Sequence, residues 1–198
     1  KGHLSIVRFL VEEHKANVNI RDIFGCTPLT WAASKGDINI VEYLVEHGKA
    51  EVDKRDYVGK TALIHATESG QLEAIQYLIE VAKANVEMRD IHGTALFWAA
   101  ANDNVDIFQY LVEVGKADIE AKCNANTTPI SMASRRIHTS QTSKVLDYLA
   151  NQRFLTVLTR DVASLRMLQR SIIAAINGHD LIDLLFNRRR LYDVNHKK

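Results

Sequence analysis

The sequence predicts an all-α solenoid of stacked helix–turn–helix units, and three observations predict it. Threonines mark a period: Thr27 to Thr61 is 34 residues, Thr61 to Thr94 is 33, and Thr94 to Thr128 is 34. The stretch that follows each threonine repeats in kind, as TPLTWAA, TALIHAT, TALFWAA and TPISMAS. Further along each unit an apolar stripe recurs at helical spacing: Ile38, Val41, Leu44 and Val45, then Leu72, Ile75, Leu78 and Ile79, then Val105, Phe108, Leu111 and Val112. One helix pair cannot bury such a stripe alone, so neighbouring units must stack.

The elements follow in chain order. Residues 1–24 match the back half of a unit: Gly2 aligns with Gly36, and Leu4, Val7, Leu10 and Val11 repeat the second-helix stripe. The sequence starts at Lys1 without a methionine, and the natural protein is expected to extend N-terminally with more repeats. Residues 25–58 give the fullest unit. Thr27 caps a helix whose first turn holds Pro28, where a missing N–H costs nothing. Ala32 and Ala33 keep its middle slim, and Gly36 ends it where a positive φ is cheap. The second helix runs to a close at Gly48. Units 59–92 and 93–125 repeat this plan. Each second helix leads into a β-prone link, KANVNIRD, KAEVDKRD, KANVEMRD or KADIEAKC. Asp22, Asp56 and Asp90 are placed to hold the turns there by accepting local backbone N–H groups, and Gly25, Gly59 and Gly93 supply permissive φ.

The fifth unit, 126–152, drifts: Arg135-Arg136-Ile137-His138 stands where a glycine break is usual. Leu158, Val162, Leu165, Leu168, Ile172 and Ile176 then predict a longer amphipathic helix, and residues 153–190 are expected to form a divergent helical capping repeat. Residues 191–198 end the chain as a basic tail.

TPLTWAA, the Lys-Gly-Asp break, INIVEYLVEHG and KAEVDKRDYVG, recurring every 33 or 34 residues, resemble the ankyrin-repeat family. The resemblance implies that the links are short β-hairpin fingers and that the array binds a partner protein. It implies further that positions after each finger aspartate face solvent.

Charge and composition bound the function. Lys+Arg number 25 against 24 Asp+Glu, a net charge of +1, so no global attraction to nucleic acid or membrane follows. No apolar run approaches the roughly 18 residues that span a bilayer. Cys26 and Cys123 lie three units apart, roughly 25–30 Å at ordinary helix-packing distances, which is too far for a disulfide. Two free thiols suit an intracellular, cytoplasmic setting. The basic residues Arg188 to Arg190, Lys197 and Lys198 read either as a solvated helix end or as a nuclear-import or nucleic-acid patch.

No local motif carries catalysis. The eight histidines are scattered over separate units, and neither H-x-x-x-H nor C-x-x-C spacing occurs, so no metal site is expected. Nor is there a nucleophile elbow, a P-loop or G-x-G-x-x-G, so no enzyme and no cofactor is predicted for this chain. Trp31 and Trp98 share a place in the first helix, where core packing is the favoured reading over ligand stacking.

The finger tips carry the candidate site. Ile23 and Phe24, Tyr57 and Val58, then Ile91 and His92 recur in register, flanked by Arg21, Arg55 and Arg89. Aromatics and arginines together are the composition of an interface anchor. The alternative is that these side chains pack between adjacent fingers. With Lys35 and Glu68 at the ends of first helices, they predict a protein-binding scaffold that grips its partner on a concave face. A second reading makes the chain the recruiting arm of a larger enzyme or effector. Neither reading calls for a small-molecule substrate or a membrane.

Overall fold

Threonine and proline start the first helices, and slim residues let them stack. A computed structural model describes residues 2–123, 127–135 and 143–151. It holds two compact units, residues 1–132 and 133–198. The first contains α1 (Leu4–Glu12), α2 (Pro28–Lys35), α3 (Ile38–Glu46), α4 (Ala62–Glu68), α5 (Leu72–Glu80), α6 (Ala95–Ala101) and α7 (Val105–Glu113). Helix α8 (Pro129–Arg135) spans the boundary, and α9 (Lys144–Asn151) lies in the second unit, where Val145, Leu146 and Leu149 are buried. Among the described residues there is no strand. The expected cap at 153–190 and tail at 191–198 lie outside them.

Within the first unit the helices form two rows. α2 packs on α4 and α4 on α6, while α3 packs on α1 and α5. Ala33, Ala66 and Ala99 are wholly buried between the first helices. Val41, Leu44, Ile75, Leu78, Phe108 and Leu111 fill the space beneath the second helices. Burying each such side chain is worth about 1.5–3 kcal/mol. Thr27 caps α2 through its hydroxyl, 3.2 Å from the Thr30 N–H, and Gly36 ends the helix at φ 71°. Thr94 adopts the extended backbone of a cap, but the Phe97 N–H bonds its carbonyl rather than its hydroxyl.

The close of the second helices differs from the expectation at Gly48. The left-handed residue is Lys49 at φ 53°, and Lys15, Lys83 and Lys116 repeat it at 52°, 58° and 56°. A side chain in that region costs about 1–2 kcal/mol. The turn lets the next alanine N–H (Ala16, Ala50, Ala84 and Ala117) reach the carbonyls of Leu10, Leu44, Leu78 and Leu111 at 2.8–3.0 Å. Carbonyls that the helix end would leave unpaired are thereby satisfied.

Because the chain repeats, several bonds between neighbouring units recur as ladders. On the second helices the Tyr43, Tyr77 and Tyr110 hydroxyls donate to Glu12, Glu46 and Glu80 of the preceding unit. In the links, the N–H groups of Glu51, Asn85 and Asp118 bond the side chains of Asn19, Asp53 and Glu87. Arginines form a third ladder at the fingers.

Candidate functional site: the finger groove

Three fingers are each built on one aspartate, Asp22, Asp56 or Asp90, used from both sides. Oδ1 of Asp22 accepts the N–H groups of Phe24 and Cys26, each at 2.9 Å. Oδ1 of Asp56 accepts those of Val58 and Lys60, and Oδ1 of Asp90 those of His92 and Gly93. These are the local turn bonds expected from the sequence. Oδ2 points the other way, toward the first helix. It receives the Trp31 indole N–H at 2.8 Å on Asp22 and the Trp98 indole N–H at 2.9 Å on Asp90. Between them, His65 Nε2 lies 2.8 Å from Oδ2 of Asp56. The Trp31 bond, more than any other contact, holds the Asp22 carboxyl below the usual carboxylate range.

This corrects the expected packing role of the tryptophans. Trp31 is 47% exposed, and Trp98 only partly buried. An indole N–H taken into the core would forfeit its bond, whereas at the finger it finds a carboxylate.

The Asp22 and Asp56 fingers close by a backbone pair, Asp22 N–H to the Cys26 carbonyl and Asp56 N–H to that of Lys60. Neighbouring tips are joined by Tyr57 N–H to Phe24 O at 3.2 Å and Ile91 N–H to Val58 O at 3.3 Å. Gly25 permits this approach: its φ is 82°, and a Cβ there would lie 2.7 Å from the Tyr57 nitrogen. The guanidinium groups complete the joint. Arg21 donates to the Arg55 carbonyl at 2.9 Å, Arg55 to that of Arg89 at 2.6 Å, and Arg89 to that of Lys122 at 2.9 Å. Arg55 also bonds the Gly59 carbonyl of its own finger.

On this frame the apolar tips stand in solvent: Ile23 is 85% exposed, Tyr57 68%, Phe24 62%, Ile91 53% and Val58 45%. Four of them, Ile23, Phe24, Tyr57 and Val58, wall a groove of 470 Å³. Cys26, Trp31, Asp56 and His65 complete its lining. The Arg21 guanidinium lies 5.9 Å from the Tyr57 ring centroid, a cation–π contact. Ile91 and His92 belong to the next finger, where the His92 ring meets Trp98 edge-on at 5.5 Å. Lys35 is exposed at the end of α2. Glu68, at the end of α4, is paired with Lys60 at 2.6 Å, and Lys60 in turn lies over the Trp98 ring at 4.2 Å.

Sequence reasoning missed the floor of this groove. Cys26 Sγ lies 4.0 Å from both Asp56 Oδ2 and His65 Nε2. Burial, then the charges of Asp56 and Asp22, push the Cys26 thiol up to about 11, against the opposing pull of Lys60. The three residues are 30 and 9 positions apart, so no short-range motif flags them. Neither Cys26 nor Cys123 is in a disulfide. Among the described residues, no helix is long and apolar enough to cross a membrane.

The comparisons with known proteins bear on the repeats. A family profile described as ankyrin repeats, in three copies, matches residues 1–90, and one described as an ankyrin repeat matches residues 93–124. A search of curated proteins returned no match.

Proposed function

The chain belongs to the ankyrin-repeat family, and on that premise we propose that it is a scaffold binding a partner protein through its finger tips and first-helix ends. Ankyrin repeats are generally protein–protein interaction modules. The fold does not name the partner, so the assignment rests on the site.

The observation that carries it is the row of exposed apolar tips on a fixed backbone. Ile23, Phe24, Tyr57, Val58 and Ile91 are absent from the buried core. Their backbones are nonetheless held by the aspartate turns and by the bonds from tip to tip. An anchor already ordered before binding loses less entropy on association, which favours affinity. Arg21, Arg55, Arg89, His92 and Lys35 frame the tips with positive or polar groups, and Glu68 joins them as half of an ion pair. An apolar centre with a polar rim is the usual anatomy of an interface. The links, turned back by one backbone pair, act as hairpin fingers. We divide the array into units 25–58, 59–92 and 93–125, after a half unit at 1–24. Two cysteines outside any disulfide support an intracellular, cytoplasmic setting.

The test is a covalent-labelling footprint of the 198-residue chain, free and bound to a partner captured with it as bait. Phe24, Trp31, Tyr57 and His92 should become protected. Protection confined to the outer faces of α3 and α5, with the tips labelled as before, contradicts the assignment.

A further inference from the structure

We propose that Cys26, Asp56 and His65 form a site for one divalent cation of the zinc class, with Sγ, Oδ2 and Nε2 as ligands and a fourth position open to the groove. The ligand atoms all lie within 4.8 Å of one another. Around a tetrahedral zinc, bond lengths of about 2.3 Å to sulfur and 2.0–2.1 Å to nitrogen and oxygen place ligand atoms about 3.3–3.6 Å apart. Here the two sulfur distances are 4.0 Å and the nitrogen–oxygen distance is 2.8 Å. Insertion of the ion therefore requires the sulfur to close by about 0.4 Å and the hydrogen-bonded pair to part by about 0.5 Å. Side-chain rotation covers both shifts.

The surroundings orient the ligands. Oδ1 of Asp56 is already committed to the Val58 and Lys60 N–H groups, which leaves Oδ2 for the ion. This is the outer-shell support that metal-ligating carboxylates need. The registers of Asp22 and Asp90 lack such a site because Trp31 and Trp98 take the place of His65. An indole N–H donates but has no lone pair to give, whereas imidazole has one. Cys26 also has no thiol counterpart in the neighbouring finger, where Lys60 holds the same place.

The charge balance favours a dication. A thiolate, a carboxylate and a neutral imidazole carry two negative charges, so the complex with a 2+ ion is neutral and avoids the cost of a half-buried net charge. Thiolate and imidazole together select zinc over magnesium or calcium. Binding moves the His65 proton to Nδ1 and releases the thiol proton to solvent, one proton per ion. The Lys60 ammonium opposes the ion, but it is drawn toward Glu68 and the Trp98 ring. The absence of a metal motif in the sequence concerned ligands within one segment; this triad is assembled by two neighbouring units.

The experiment titrates the reduced 198-residue chain with Co²⁺, reading the sulfur-to-metal charge-transfer absorption, and then displaces cobalt with zinc. One equivalent of cobalt should produce the band, and zinc should abolish it. Cys26→Ser should lose the band entirely while Cys123→Ser keeps it. Asp56→Asn retains an oxygen for the turn but not the charged ligand, and should weaken cobalt binding at least tenfold with unchanged helical circular dichroism. His65→Phe, which leaves the turn aspartate intact, should weaken it to a similar extent. A titration without a saturable band, or a band that survives Cys26→Ser, overturns the proposal.

Discussion

At the scale of single residues, hydrogen bonds between side chains of neighbouring units tie the array together. Tyr77 shows how this couples to pH. Burial first, and then its bond to Glu46, push its hydroxyl from the ordinary value of 10.0 up to about 12. Tyr110, bonded to Glu80, is raised further, and Tyr43, bonded to Glu12, is raised in the same direction. The folded chain keeps these protons where the unfolded chain gives them up. For Tyr77 that contribution to stability is therefore complete below about pH 10 and is lost as pH rises through about 12. Tyr77→Phe removes one such group. The fall in Tm between pH 10 and 12 should be shallower in Tyr77→Phe than in the parent chain, as thermal melts across that window would show. Identical slopes would mean that the bond to Glu46 carries no linkage.

At the scale of elements, the fingers behave as one surface because each arginine reaches the carbonyl of the next. Arg55 is the central member, with bonds to Gly59 in its own finger and Arg89 in the following one. Its side chain is exposed, so solvent weakens both bonds, and Arg55→Ala should cost about 1 kcal/mol in urea denaturation. Arg55→Lys keeps the charge but not the two-pronged geometry, and should recover less than half of that loss. A stability equal to the parent in Arg55→Ala would show that the tips are aligned by the backbone bonds alone. The ladder also marks where sequence reasoning stops. The threonine period and the stripes around Leu44, Leu78 and Leu111 were legible because they recur at fixed spacing, and the turn aspartates because the N–H groups they accept lie within a few residues. Trp31 was misread as core because its partner, Asp22, is set by the fold of the finger. Lys49 was passed over because glycine is the usual bearer of a positive φ, and Gly48 stood beside it. Cys26, Asp56 and His65 were invisible as a group because only stacking brings a residue near another about one period away.

At the scale of the molecule, the repeat converts one local arrangement into a row. The first helices contribute the floor, the aspartates fix the turns, and the apolar tips are left over once the core is filled. Charge gives little direction, since basic and acidic residues nearly cancel. On the proposed function, recognition rests on shape and on a few anchors at the finger tips, chiefly Phe24 and Tyr57. Their rings lie outside the buried core, so removing them should separate binding from folding. The direct measurement is a binding titration of a captured partner against the parent chain, Phe24→Ala and Tyr57→Ala, with thermal melts of each alone. Loss of a central anchor costs 2 kcal/mol or more, about 30-fold in Kd, and each variant is predicted to show at least that loss with an unchanged Tm. Parental affinity in both variants together with a lowered Tm would contradict the account, making the tips packing residues of the fingers.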